Sequence, residues 1–203
     1  MKKYRLLGAP TAIVVMALAL VGCNSETAPD SASREGQQDS SKSASCTPPG
    51  SKPGSAEPNG ETLPADAEPN TDGKATFGET ARFEIKGAPV DITIQAPTET
   101  TGNPQFPLAE GEVVCMVAIH LVQHESDGPA NIGLDASNFD AVTADGSTTG
   151  VATVDNNIEG EDVTVNEPTT GFVSFTVRPD QQHLESVTMD GFLGDFSATW
   201  QFE

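Results

Sequence analysis

From Thr80 onward the chain is made of short runs in which apolar and polar residues alternate, separated by Gly, Pro, Asn and Asp. A period of two sends successive side chains to opposite faces of a strand, so each run predicts a β-strand with one face against a core. Thr80–Ile85 and residues 90–94 form the first two, the second broken at Pro97. Residues 113–122, Val-Val-Cys-Met-Val-Ala-Ile-His-Leu-Val, are almost continuously apolar and suit a central strand buried on one face and partly covered on the other. Phe139–Thr143 ends at Asp145-Gly146, a hairpin-type turn. Residues 172–177 stop at Pro179, and residues 184–189 stop at Asp190-Gly191. In the last run Phe196, Ala198, Trp200 and Phe202 alternate with Ser197, Thr199 and Gln201, which turns one aromatic face inward. With about seven short strands and no 3.6-residue period, residues 75–203 are expected to form one all-β domain, a β-sandwich.

The N-terminus follows another pattern. Lys2, Lys3 and Arg5 precede an apolar run whose centre is residues 13–20, the layout of a secretory signal peptide over residues 1–22. The apolar stretch falls short of the roughly 20 residues that span a bilayer, and everything after it is polar. Leu20-Val21-Gly22-Cys23 resembles the bacterial lipobox, in which small residues precede a Cys that is acylated and becomes the first residue of the mature chain. Cys23 is therefore the expected lipidation site. Two acyl chains of a diacylglyceryl group, at about 0.8 kcal/mol per buried methylene, are the number that stable anchoring needs. The mature protein is expected on the outer face of the cell membrane.

Between the anchor and the strands, residues 24–74 are dominated by Ser, Pro, Gly, Glu, Asp and Gln, with no Ile, Val, Phe, Tyr or Trp. Such a segment buries too little apolar surface to offset its ordering entropy, and residues 23–74 are read as a disordered stalk. As a flexible coil it has a root-mean-square reach of roughly 40 Å.

Within the domain, four stretches in order resemble a family of secreted and lipid-anchored bacterial proteins of unknown function. They are the opening pair ending Val90-Asp91-Ile92-Thr93-Ile94, the long strand of residues 111–122, Asp135-Ala136-Ser137-Asn138-Phe139 before Asp145-Gly146, and residues 171–179. The sandwich of that family is like that of a small secreted mycobacterial immunoprotective antigen. The resemblance implies an immunoglobulin-like sandwich over most of residues 75–203 and brings no catalytic residues with it. Residues 148–165 depart from the pattern by being longer and more acidic.

Charge excludes some partners. The full chain has 10 Lys and Arg against 30 Asp and Glu, and loss of the three basic residues of the signal peptide takes the net from −20 to −23. Residues 75–203 hold only Arg82, Lys86 and Arg178 against 21 acidic residues, a net of −18. Nothing there neutralises phosphates, so nucleic acid is not an expected partner. Solubility and repulsion from an anionic envelope account for such a surface, and attraction of cations or of a basic partner is the functional alternative.

Candidate chemistry is sparse. With Cys23 acylated, Cys46 and Cys115 remain, and outside the cytoplasm they either pair as a disulfide or stay as a free thiol and a buried one. A bridge would strap the stalk to the sandwich and leave about 22 free residues, a coil reach nearer 26 Å. His120 and His124 lie four apart on one strand face, about 13 Å, too far for one metal without a bend. No Gly-x-Ser-x-Gly elbow is present, and no enzyme is expected. Asp155, Asn157 and Glu159 alternate before Gly160 like the start of a calcium loop, but Asn166 stands where a bidentate Glu would close it. No cofactor is expected beyond that possible calcium. The reading is a lipid-anchored surface protein presenting a non-catalytic sandwich to an envelope component or partner protein, with a small-ligand or cation-binding accessory lipoprotein as the alternative.

Overall fold

In the computed structural model the described residues are 43–126, 132–155, 157–190 and 196–203. The chain order is β1 (Lys74–Thr76), β2 (Thr80–Ile85), β3 (Ala88–Ile94), β4 (Thr98–Thr100), β5 (Val113–Gln123), β6 (Gly133–Leu134), β7 (Phe139–Thr143), β8 (Thr148–Thr149), β9 (Glu161–Asp162), β10 (Pro168–Val177), β11 (Leu184–Asp190) and β12 (Ser197–Gln201). Where seven strands were expected, twelve are present among the described residues. The seven are the longer ones, and the five additional strands are two or three residues each, too short for an alternating pattern to mark them.

Two five-stranded sheets face each other as a β-sandwich. One runs β10-β5-β3-β2, with β4 beside β3 on β5, and the other runs β1-β12-β11-β7-β8. Pairing is antiparallel except between β1 and β12. The hairpin of β2 and β3 turns at Lys86-Gly87, whose φ values of 51° and 79° give the left-handed pair that a two-residue hairpin requires. That turn fixes the register and sets Phe83 opposite Val90 and Arg82 opposite Asp91. Asp145-Gly146 likewise joins β7 to β8. Its Asp145 carboxyl is held at about 2 by hydrogen bonds from the Ser147 amide and the Thr143 and Ser147 hydroxyls.

The inward faces follow period two. Phe83, Ile92, Cys115, Ile119 and Phe175 of one sheet meet Phe139, Leu184, Met189 and Trp200 of the other in a single core cluster. Trp200 is fully buried, with its ring edge-on to Phe83 at 5.5 Å, while Phe196 meets Phe83 from another side at 5.4 Å. Residues 151–155 and 157–158 run along the outer edge of β10. Ala152 N donates to Ser174 O, Ser174 N donates to Asn157 Oδ1, and Ile158 N donates to Phe172 O, so the edge strand is covered.

The stalk expectation is corrected from Ser43 onward. Residues 43–73 form no strand of their own, yet they lie against the sandwich as an irregular strap. Ala44 and Cys46 enter the core, with Ala44 N donating to Gly111 O and Ser45 N to Gln182 O. Cys46 is joined to Cys115 by a disulfide, the Cα atoms 5.2 Å apart. Further along, the strap comes so close to the sheet that a Cβ on Gly54 would run into the carbonyl oxygen of Ala96. It ends by becoming β1 and pairing with β12. The physical reason is that, beyond Ala44 and Cys46, ordering here does not rest on apolar side chains. A covalent tie across 69 residues removes about 4 kcal/mol of unfolded-chain freedom in the chain-entropy account, and backbone hydrogen bonds supply the rest. Residues 1–42, with the signal peptide and Cys23, lie outside the described residues.

The two faces of β12 make a direct test. Truncating a large buried aromatic costs about 3 to 5 kcal/mol. Trp200→Ala is expected to lower the urea midpoint severely or to prevent folding. Thr199→Ala, which loses only the 3.0 Å contact with the Thr188 hydroxyl, is expected to change it little. Urea unfolding of both variants measures the difference.

Candidate functional site

The outward faces of β2, β3 and β5, with Gln95 just past the end of β3, carry polar residues that are nonetheless buried: Arg82, Asp91, Thr93, Gln95 and His120. The strap is what covers them. Arg82 Nε donates to Asp91 Oδ1 at 2.7 Å and Nη2 to Oδ2 at 3.0 Å, a bidentate pair whose side chains are 3% and 0% exposed. The rest of the guanidinium faces the strap, with Nη1 donating to Pro64 O at 2.6 Å and Nη2 to Leu63 O at 3.1 Å. Leu63 N returns a hydrogen bond to Asp91 Oδ2 at 2.9 Å. His124 Nε2 donates to the same oxygen at 2.8 Å. Nearby, Glu61 N donates to the Thr80 hydroxyl, and Gln95 Nε2 donates to both oxygens of Asn59.

Electrostatics follow from this geometry. Burial alone would raise the Asp91 carboxyl, but hydrogen bonds from Arg82, His124 and the Leu63 amide outweigh it and hold the group below its ordinary 3.8. The hydrogen bond to Asp91 raises Arg82 in turn, against the opposing effect of burial. His120 is lowered from 6.5 chiefly by burial, with the charge of Asp91 opposing. Its Nδ1 has no hydrogen-bond partner among the described residues and faces Gly60, where a Cβ would stand 2.6 Å from it.

The candidates from sequence are dispersed. Cys46 and Cys115 pair and are buried, so neither thiol is available for chemistry. His120 meets the strap at Gly60 while His124 turns to Asp91. The oxygens of the calcium-loop residues Asp155 and Asn157 serve separate partners. Asp155 Oδ1 accepts from Asn103 Nδ2 at 3.0 Å, Asn157 spans Ala152 O and Ser174 N, and Glu159 is exposed. Asn157 acts as a backbone substitute that seals the edge of β10. Among the described residues no group of three or more His, Cys, Asp or Glu side chains is placed to hold a metal. No described helix is long and apolar enough to cross a membrane.

At the start of β5 the strap does not cover the outward face, and a groove of about 470 Å³ opens there. One wall is the loop that carries Asn103, Phe106, Pro107, Leu108 and Glu112, the other is residues 150–154, and Val114 and Thr176 form part of the lining between them. Phe106 is 58% and Leu108 38% exposed, two of the three exposed large hydrophobics among the described residues. The loop is built rather than loose. Phe106 N donates to Asn103 O, Gln105 N to Asn103 Oδ1, and Ala109 N to Glu112 Oε2.

Sequence reasoning missed both features. The Arg82–Asp91 pair was readable in principle: with the hairpin turn placed at Lys86-Gly87, counting back along the two strands sets the two charges opposite each other. Phe106 and Leu108 stand in a Pro-containing loop with no period, and nothing in the sequence separates such residues from core ones.

Two predictions follow from the network. The folded value of His120 lies below its unfolded 6.5, so the unfolded chain takes up the proton first. Its contribution is complete above pH 6.5 and declines as pH falls from there. Asp91, lowered from 3.8, contributes stability above that value that is lost as pH falls through its folded value. Urea midpoints against pH are expected to fall in two stages, and His120→Gln is expected to remove the first and leave the second. Asp91→Asn leaves Arg82 buried without its counter-charge and is expected to cost about 3 to 5 kcal/mol at pH 7, measured by the same unfolding.

No family model and no curated protein matches the chain. Among solved structures it is similar to the secreted protein MPT63 of Mycobacterium tuberculosis, at 19% identity over 67% of this chain and 99% of that one, with a TM-score of 0.49. It is also similar to the ycdA protein of Bacillus subtilis, named as a candidate lipoprotein, at 12% identity over 64% of this chain and 39% of that one, with a TM-score of 0.47. A third is an uncharacterized β-sandwich protein of Clostridium difficile, at 15% identity over 70% of this chain and all of that one, with a TM-score of 0.36.

Proposed function

We propose that the chain is an exported lipoprotein, anchored through Cys23 at the outer face of a membrane, whose β-sandwich acts as a non-catalytic binding module. The observation that carries the reading is the Cys46–Cys115 disulfide. Disulfides persist in oxidising compartments, which supports export. The pair also uses two of the three cysteines and leaves Cys23, at the end of Leu20-Val21-Gly22-Cys23, as the one outside the bridge. The residues between the anchor and Ser43 separate domain and bilayer by at most about 70 Å even when fully extended.

The groove beside Phe106 and Leu108 supports recognition over catalysis. Its lining has a single charged side chain, Glu112, while Arg82 and Asp91 of the sheet are committed to each other and to the strap. An open groove flanked by projecting apolar side chains suits a macromolecular partner better than a small solute carried in an enclosed pocket.

Replacing Cys23 tests the anchor. Cys23→Ala is expected to abolish incorporation of labelled acyl chains and to move the protein from the membrane to the soluble fraction. A variant that still takes up the label would sink the assignment.

A further inference from the structure

We infer that the groove at the start of β5 docks an extended polypeptide segment of a partner protein, one that combines large apolar side chains with Lys or Arg. This inference rests on the binding-module reading above and names its partner class. Phe106 and Leu108 project from one loop at 58% and 38% exposure beside a groove of about 470 Å³. That volume lies within the range of sites that accept side chains or small ligands. The groove is preformed, because Asn103 Nδ2 donates to Asp155 Oδ1 at 3.0 Å across its walls.

Charge selects among occupants. Glu112 lines the groove, Asp155 ties its rim, and no Lys or Arg is among the lining residues. Of the three basic residues in 75–203, Arg82 is buried on Asp91 and Arg178 is paired with Asp180. Against a net charge of −18 over the same residues, a cationic segment gains from the long-range field, whereas a second copy of this chain is repelled. The chain's own residues 24–42 cannot be the occupant, since Ala is the largest aliphatic side chain outside their one Pro. An anionic membrane surface carries the wrong charge.

The test uses the mature chain from residue 23 with Cys23→Ala, which keeps every described residue and lacks both the signal peptide and the acyl anchor. A phage-displayed library of random peptides is panned on it, and enriched peptides are synthesised and titrated. Enrichment in peptides that join Lys or Arg to Leu, Ile, Phe, Tyr or Trp is expected. Phe106→Ser with Leu108→Ser is expected to weaken them about tenfold or more. Glu112→Gln, a second variant that keeps the acceptor for Ala109 N, is expected to reduce both the affinity and its salt dependence. Absence of enrichment, enrichment of peptides without basic residues, or undiminished binding to the folded Phe106→Ser/Leu108→Ser variant would overturn the inference. So would co-sedimentation of the chain with phosphatidylcholine vesicles that is lost with Phe106→Ser, because the loop would then be a membrane contact. Failure of the lipoprotein reading appears separately, in the acyl labelling of Cys23, and does not alter these titrations.

Discussion

The pairing of Arg82 with Asp91 beneath the strap is the constraint on which the arrangement of the molecule turns. Two charges taken out of water cost several kcal/mol each unless every donor and lone pair finds a partner. On the outer face of an ordinary sandwich sheet they would be solvated, and here they are 3% and 0% exposed. What makes that tolerable is Leu63 and Pro64: one amide for the carboxylate and two carbonyls for the guanidinium. The strap and the ion pair therefore require each other. Without the strap the pair is a wet surface salt bridge of small worth, and without the pair the strap lacks its strongest polar partners.

The same reciprocity explains how a Ser-, Pro- and Gly-rich segment becomes part of a domain. At one end the disulfide holds Cys46 in the core, and at the other Lys74–Thr76 joins β12 as a parallel strand. Between those fixed points the chain needs only to offer backbone groups at the right places and to come close enough. Gly54 against Ala96 and Gly60 against His120 allow that approach, since neither carries a Cβ to hold the strap away. A composition that looks unable to order is what such a close, backbone-mediated contact demands.

Strand positions were legible because they depend on a local quantity, the alternation of side chains across a half-buried sheet. Phe83 facing inward while Arg82 faces outward, and Trp200 buried while Thr199 faces away, are direct readings of period two. The strap was legible only as the alternative in which Cys46 pairs with Cys115, because apolar content measures one source of ordering and here the main sources are that covalent link and hydrogen bonds to residues far along the chain. Asn157 shows how one pattern serves two roles. Oxygen-bearing side chains next to a Gly fit a cation loop in sequence, yet an Asn amide also matches a backbone peptide, and Asn157 uses both of its ends to continue the ladder beside β10.

Coverage of the outward face of the β10-β5-β3-β2 sheet is thus divided. Where the residues are polar, at Arg82, Asp91 and His120, the strap seals them. Where they become apolar or neutral, toward Val114 and Thr176 at the other end of β5 and β10, the cover stops and a groove remains. Polar groups buried with imperfect partners are costly, so the chain spends its strap on them. An apolar groove costs less to leave open. The disulfide enters the core on the groove-proximal strand end, at Cys115 next to Val114, so the covalent tie that positions the strap also braces one side of the open site. Order of the strap and availability of the groove are in this way two outcomes of one division along a single long strand.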